Sequence, residues 1–257
     1  MRLAAEAKAK KRRKQIRNTV VVVVIAAVVV VIVLVTSSGK AKTASSTTTT
    51  TAASSTSKYV LLQEAANKVA VADGCPASTS ARVNTQKYSA VPPTTIDTSK
   101  TYSATVKTTA GTFTIGLDAK AAPITVNSFV FLAHKGYFHC VIFHRVIPGF
   151  VDQTGDPTGT GTGGPGYEFA NENIPKAYAT GDVAMANSGA NTNGSQFFIV
   201  APGGATALDA DLSSGGYSLF GQITSGQNVV NTINSEGTSA GTPHVTQRVL
   251  SVTIHVS

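Results

Sequence analysis

Along this 257-residue chain the apolar and polar positions change texture several times. From Val20 to Val35 every residue is apolar, a run of sixteen that Thr19 and Thr36 extend, since a helical Thr can return its hydroxyl to the backbone. A helix needs roughly 17–25 residues to cross a bilayer core, so the run is at the short end. Val is a modest helix former in water, but in lipid a helix alone satisfies the backbone of a single segment. The pattern predicts a transmembrane helix over 19–36. From 37 to 57 periodicity disappears into Ser, Thr, Ala and Gly, with five consecutive Thr at 47–51. Such a stretch cannot build a core and is expected to be a disordered tether.

Apolar spacing returns in Tyr59–Ala72 (YVLLQEAANKVAVA), a short amphipathic helix closed by Asp73-Gly74. It opens a segment, 58–100, in which Pro92-Pro93 marks another boundary. From Thr101 the residues alternate with period two: TYSATVKTT, then GTFTIGLD, with a turn at Ala110-Gly111, which reads as a hairpin. Pro123 begins a helical pattern, ITVNSFVFLAHKG, ended by Gly136, with Pro near the first position and Gly past the last. Short strands follow with Gly-rich connections, and a further helix is expected near Gln227–Asn234. Non-local β structure with two helices predicts a closed barrel over 101–257 rather than a parallel sheet.

The net charge of +8 suggests nucleic-acid binding until it is located. The first 17 residues carry +7 and Lys40 with Lys42 another +2, which leaves residues 58–257 at −1. A nucleic-acid-binding domain needs a basic face of its own, so no nucleic-acid partner is expected. Residues 1–18 are instead a basic tail directly before an apolar run. The positive-inside rule then keeps the N-terminus cytoplasmic and exports the remainder. The expectation is a single-pass protein of the cell membrane with its large domain extracytoplasmic. A cleaved signal peptide is the rival. The run is longer than a usual signal core, Thr36-Ser37-Ser38-Gly39-Lys40 is a poor cleavage site, and no Cys follows it for lipidation. The anchor reading is therefore preferred. Two cysteines, Cys75 and Cys140, are too few for a disulfide scaffold. They could pair in an oxidising compartment or stand as separate thiols, and both readings stay open.

Two segments carry the chemistry: Phe143-His144-Arg145-Val146-Ile147-Pro148-Gly149-Phe150-Val151-Asp152-Gln153-Thr154-Gly155-Asp156, and Met185-Ala186-Asn187-Ser188-Gly189-Ala190-Asn191-Thr192-Asn193-Gly194-Ser195-Gln196-Phe197-Phe198. Both closely resemble signature strands of the cyclophilin family. Gly159–Gly164 resembles that family's Gly-rich loop, and Leu219-Phe220-Gly221 its later strand. The resemblance covers roughly Thr101 to Ser257. It implies a mainly β fold, an eight-stranded antiparallel barrel capped by two helices. It also implies peptidyl-prolyl cis/trans isomerase activity on proline-containing polypeptides, with no cofactor and no metal.

An X–Pro amide resists rotation because its nitrogen lone pair conjugates with the carbonyl. When the bond twists, the nitrogen becomes pyramidal and can accept a hydrogen bond. A cation fixed beside it binds the transition state better than the ground state. Arg145 suits that role, and the resemblance assigns it there, with Gln153 orienting the guanidinium. Without the resemblance, an edge arginine paired with Asp156 or Glu168 would serve as well. Carried over by motif, Phe150, Val151, Phe198 and Leu208 form the proline pocket. Asn187 and Gln196, with Ala186 and Ser188 alongside, bind substrate backbone. His144 is expected to be a hydrogen-bonding residue rather than a proton donor, because the reaction transfers no proton. Tyr217 stands where the family commonly has His. Ala207 precedes Leu208-Asp209 where many eukaryotic members have Trp, and the chain has no Trp. This implies weak cyclosporin binding with less effect on activity.

Other motifs fall away. The Gly159–Gly164 run lacks the Gly-Lys-Ser/Thr ending of a phosphate loop. His134, His139, Cys140 and His144 do not have the spacing of common zinc sites. Ser195 is not in a nucleophile elbow. A rival of another class is a non-catalytic module or chaperone that holds proline-containing segments. Arg145 and Gln153 favour the enzyme, since holding alone needs no cation at the proline nitrogen.

Overall fold

The computed structural model describes residues 48–257. The chain divides into two units, Met1–Thr50 and Thr51–Ser257, and the fold is that of the second. The basic tail, the expected membrane helix and residues 37–47 lie outside the described residues. Among the described residues no helix is long and apolar enough to cross a membrane.

Helix α1 spans Thr48–Ala72. It starts inside the Thr run rather than at Tyr59, so residues 48–57 are helical. The sequence from 48 to 72 contains neither Gly nor Pro, and once a helix is nucleated each added residue gains a backbone bond. The anchoring face lies further along. Tyr59, Gln63, Ala66 and Ala70 recur at helical spacing. Tyr59 stacks on His244 at 4.4 Å, Gln63 accepts the Thr246 N–H at 2.7 Å, and Ala66 and Ala70 are buried. Beyond the helix Cys75 is joined to Cys140 in a disulfide, with Cα atoms 5.4 Å apart. Of the two readings left open, the paired one is found. Arg248, buried, donates to the Pro76 and Ala77 carbonyls beside it.

The sheet follows as β1 (Tyr102–Thr108), β2 (Gly111–Leu117), β3 (Arg145–Ile147), β4 (Val151–Thr154), β5 (Asp182–Met185), β6 (Phe197–Val200), β7 (Leu219–Ser225) and β8 (Val249–Val256). All pairings are antiparallel, in the order β3-β4-β6-β5-β7-β2-β1-β8. The expected hairpin β1–β2 is found, but its turn is Thr109-Ala110, one residue earlier than the pattern places it, and Gly111 already pairs with Thr108. The two end strands do not pair with one another as strands. The segment before β3 closes that seam: Cys140 N–H donates to Val249 O, Val249 N–H to Val141 O, and Phe143 N–H to Gln247 O.

Helix α2 (Pro123–His134) and helix α4 (Gln227–Ser235) cap the sheet; a short α3 (Ala205–Asp209) continues into a 3-10 turn over Ala210–Ser214. The interior is aromatic: Phe129 of α2 contacts Phe138, Phe197 and Phe220. A second, smaller cluster of Val151, Tyr178, Ala184, Phe198, Val200 and Leu208 covers the opposite face of β4, β5 and β6. Phe197 and Phe198 thus face opposite ways, as successive strand residues must, and both are buried.

Asp152 points into the interior and is fully buried. Its Oδ1 accepts from Asn234 Nδ2 of α4 at 2.7 Å. Asn234 Oδ1 accepts the Gly149 N–H, so this pair ties the β3–β4 turn to the helix. Burial pushes the Asp152 carboxyl up to about 7. The folded value lies above that of an unfolded Asp, so the fold prefers the neutral acid. That contribution to stability is whole below the unfolded value of about 3.9 and is lost as pH rises through about 7. In urea unfolding, wild type should lose stability relative to Asp152→Asn between pH 5 and pH 8. A difference that stays constant across that range would contradict a buried carboxyl.

Candidate active site

Strand register assembles the site. Arg145 of β3 pairs with Gln153 of β4, Gln153 with Phe198 of β6, and Phe198 with Ala184 of β5. Paired residues share a face, so one row crosses four strands on the side away from the core. Val151 is two residues before Gln153 on this face. Phe150 precedes it in the turn, Ala186 and Asn187 follow β5, and Leu208 comes from α3. Together with Arg145, Phe198, Tyr217 and Asp211 they surround a pocket of about 280 Å³.

The Arg145 guanidinium reaches Gln153 Oε1 at 3.5 Å and lies 5.4 Å from the centre of the Phe150 ring. Among the described residues it forms no ion pair with Asp156 or Glu168, so the edge-arginine alternative is not what is found. Gln153 Nε2 donates to Gln196 Oε1 at 3.0 Å. Gln196 Nε2 donates to the Gly161 and Gly163 carbonyls at 3.0 and 2.8 Å. The arginine is therefore held by a chain of side-chain amides that ends on the Gly-rich loop.

That loop is wound around Asp156, which is buried and accepts from the N–H groups of Thr158, Thr160, Gly161 and Gly163. Burial alone would raise its carboxyl. The Thr158 hydroxyl and the backbone N–H groups of Thr158, Gly163 and Gly161 outweigh burial and hold it below the ordinary value. Gly163 sits so close that a Cβ there would strike Asp156 Oδ1. The Gly-rich run thus serves a carboxylate of the chain itself.

His144 lies beneath Gly161, where an added Cβ would be 3.7 Å from the imidazole Cδ2. Burial lowers its pKa, and neither ring nitrogen has a hydrogen-bond partner. The Gln196 amide beside it is turned to the loop carbonyls instead. His144 lines neither the pocket nor the groove beside it. Asn187 donates to Gly216 O at 3.2 Å and accepts the Gly189 N–H at 3.1 Å. The Ser188 N–H donates to Thr192 Oγ1 at 2.8 Å. Tyr217 meets Phe198 edge-on at 5.2 Å, and its hydroxyl donates to Asp211 at 3.1 Å. Burial, with Asp211 adding to it, raises the Tyr217 phenol, which therefore stays a donor at neutral pH.

Sequence reasoning nominated nine of the ten pocket residues and missed Asp211. The carboxylate pair Asp209 and Asp211 was visible, but only the 3-10 turn brings the second to Tyr217. Ser188 and Gln196 line a larger groove of about 570 Å³, which shares Gln153, Ala186 and Asn187 with the pocket. Its other wall holds Lys87, outside the segment that carried the resemblance. Of the residues considered for a metal, His139 and Cys140 do come together with Cys75, their donor atoms within 4.8 Å of one another. The two sulfurs are bonded to each other, so neither offers a thiolate.

Comparison with known proteins matches the same region. A family described as "Cyclophilin type peptidyl-prolyl cis-trans isomerase/CLD" matches residues 103–255. A peptidyl-prolyl cis-trans isomerase-like 1 of Aspergillus fumigatus is 46% identical over 128 residues, 48% of this chain and 76% of that protein. A peptidyl-prolyl cis-trans isomerase of Helicobacter pylori is 42% identical over 130 residues, 50% of this chain and 76% of that protein. The crystal structure of a Cryptosporidium parvum cyclophilin-type isomerase is 31% identical, covers 60% of this chain and 98% of its own, and superposes with a TM-score of 0.54. The same protein was also solved in the presence of the dipeptide Ala-Pro, with a TM-score of 0.53.

Proposed function

The chain belongs to the cyclophilin-type peptidyl-prolyl cis-trans isomerase family, and we propose that it twists X–Pro amides in the pocket beside Arg145. One observation carries the assignment: a guanidinium with no carboxylate partner among the described residues stands at an apolar pocket, steered by Gln153. Phe150, Val151, Phe198 and Leu208 hold the proline ring while the preceding carbonyl swings. Asn187 and Gln196, with Ala186 and Ser188, fix the substrate backbone. Tyr217 closes the pocket wall. As the amide nitrogen becomes pyramidal, Arg145 donates to its freed lone pair. That interaction is absent from the planar ground state, so it lowers the barrier instead of tightening binding. His144, kept neutral by burial, moves no proton and supports the loop. Cyclosporin binding is weak, because Ala207 presents no indole.

The substrates are exported proteins, and the N-terminal segment holds the enzyme at the membrane with its isomerase domain outside. Three features support this: the dense basic cluster before Val20–Val35, the stretch after it whose only charges up to residue 57 are Lys40 and Lys42, and a disulfide of the kind that persists in oxidising compartments. Protease added to intact spheroplasts should remove the isomerase domain. Full protection of that domain, or a mature protein beginning after Thr36, would contradict the anchored, outward placement. The pocket assignment is tested separately, by comparing rate with peptide affinity in Arg145 variants.

A further inference from the structure

The groove beside the proline pocket has one wall built by residues that precede the matched domain. Tyr88 N–H donates to Pro165 O at 2.7 Å, and Val83 N–H donates to Pro157 O at 3.0 Å. The fit at Gly166 is close: a Cβ there would lie 2.7 Å from the Tyr88 carbonyl oxygen. Tyr88 is fixed in turn by its hydroxyl bond to Gln86 and by its ring against Phe131. Residues 83–88 thus form a strap along the Gly-rich loop. Lys87, between two anchored neighbours, places its ammonium on the Gly164 carbonyl at 2.5 Å, where it lines the groove.

We propose that Lys87 is a specificity-determining residue, which selects substrates with Asp or Glu within about two residues of the proline. Pocket and groove share Gln153, Ala186 and Asn187. A peptide with its proline ring in the first therefore lays a flanking side chain in the second, because an extended residue advances only about 3.3 Å. An ammonium has three donors and Gly164 occupies one, which leaves two for a carboxylate. Among the described residues Lys87 forms no ion pair, so an arriving acid displaces no internal partner. Glu168 is the other charged residue of the groove. It opposes an acidic ligand and sharpens the test.

The inference rests on substrate lying in the Arg145 pocket, and the experiment keeps the two claims apart. Three peptides that differ only in one flanking side chain, Glu, Gln or Lys, are scanned on both sides of the proline with the oxidised protein. The quantity read is the ratio of kcat/KM between charged and neutral peptides, so a general loss of turnover cancels. At one flanking position wild type should favour Glu over Gln about two- to fivefold, the range of an exposed ion pair. The ratio should shrink toward one at high salt. Lys87→Gln should abolish the preference, Lys87→Arg should keep it, Lys87→Glu should reverse it toward the Lys peptide, and Glu168→Gln should increase it. A purely structural role for Lys87 would not reverse a charge preference. Equal turnover of the three peptides by wild type, or an unchanged preference in Lys87→Glu, overturns the proposal. Loss of turnover on every peptide with wild type would instead count against the pocket assignment.

Discussion

Arg145→Ala should lower the catalysed rate constant about ten- to a hundredfold while peptide affinity changes little. The removed interaction is a charge-assisted hydrogen bond, about 1.5–3 kcal/mol, which corresponds to that range of rate. It forms only when the proline nitrogen becomes pyramidal, so the ground state does not feel its loss. Lys at this position should rescue poorly. Arg145 is held by the amide of Gln153 and lies against the Phe150 ring, a geometry that suits a planar fork better than a point charge. Phe198→Ala should behave differently. Phe198 is buried in the pocket wall against Tyr217 and holds the ring throughout the reaction, so rate and affinity should fall together. Exchange NMR gives the rate and titration gives the affinity, on variants shown to be folded. Near-normal turnover by Arg145→Ala would remove the catalytic assignment and return the protein to the class of proline-binding modules.

Loss of the Cys75–Cys140 disulfide should lower stability by about 2–4 kcal/mol, or roughly 4–16 °C in Tm for a domain of this size. The bond closes a loop across a sequence separation of 65, which contains β1, β2 and α2. Opening it releases conformational entropy to the unfolded chain. It also frees one end of the segment 75–100, although Asn84 to the Tyr137 carbonyl and Asn127 to the Pro92 and Pro93 carbonyls still hold its length. Arg248 makes the local effect worse. Its buried guanidinium donates through both terminal nitrogens to the Pro76 and Ala77 carbonyls, and a Cys75–Ala77 segment that moves away strands that charge. Calorimetry of the oxidised protein against Cys75→Ser/Cys140→Ser measures the effect. Equal Tm values, or two free thiols by mass analysis of the exported protein, would contradict it.

How much the sequence disclosed depended on how local each signal was. The β1–β2 hairpin and helix α2 carry their own punctuation, Gly111 in one and Pro123 with Gly136 in the other; the helix appears where its pattern places it and the hairpin turn one residue earlier. Strands β4, β5 and β6 are four residues each, and β5 and β6 are buried throughout. With both faces covered they show no alternation, so their number came from the resemblance and not from periodicity. The pocket residues were found because two long motifs keep their strand spacing. Tyr217 kept its place against Phe198 even though the connection before it is long, because the extra residues wind into α3 and the 3-10 turn. Residues 75–100 have no regular pattern. Their position is set by hydrogen bonds to remote backbone and by one disulfide, which no local window contains. Lys87 was missed for that reason; Asp211 reaches Tyr217 only through the 3-10 turn, and the start of α1 lies in a Thr run with no apolar spacing to mark it.

The central claim is tested most directly by exchange NMR on an X–Pro peptide with the oxidised protein, since uncatalysed interconversion takes tens to hundreds of seconds. The account predicts cis–trans exchange accelerated into the range that broadens or cross-relates the two sets of peptide signals at substoichiometric enzyme. Saturable peptide binding with interconversion still at the uncatalysed rate would contradict it.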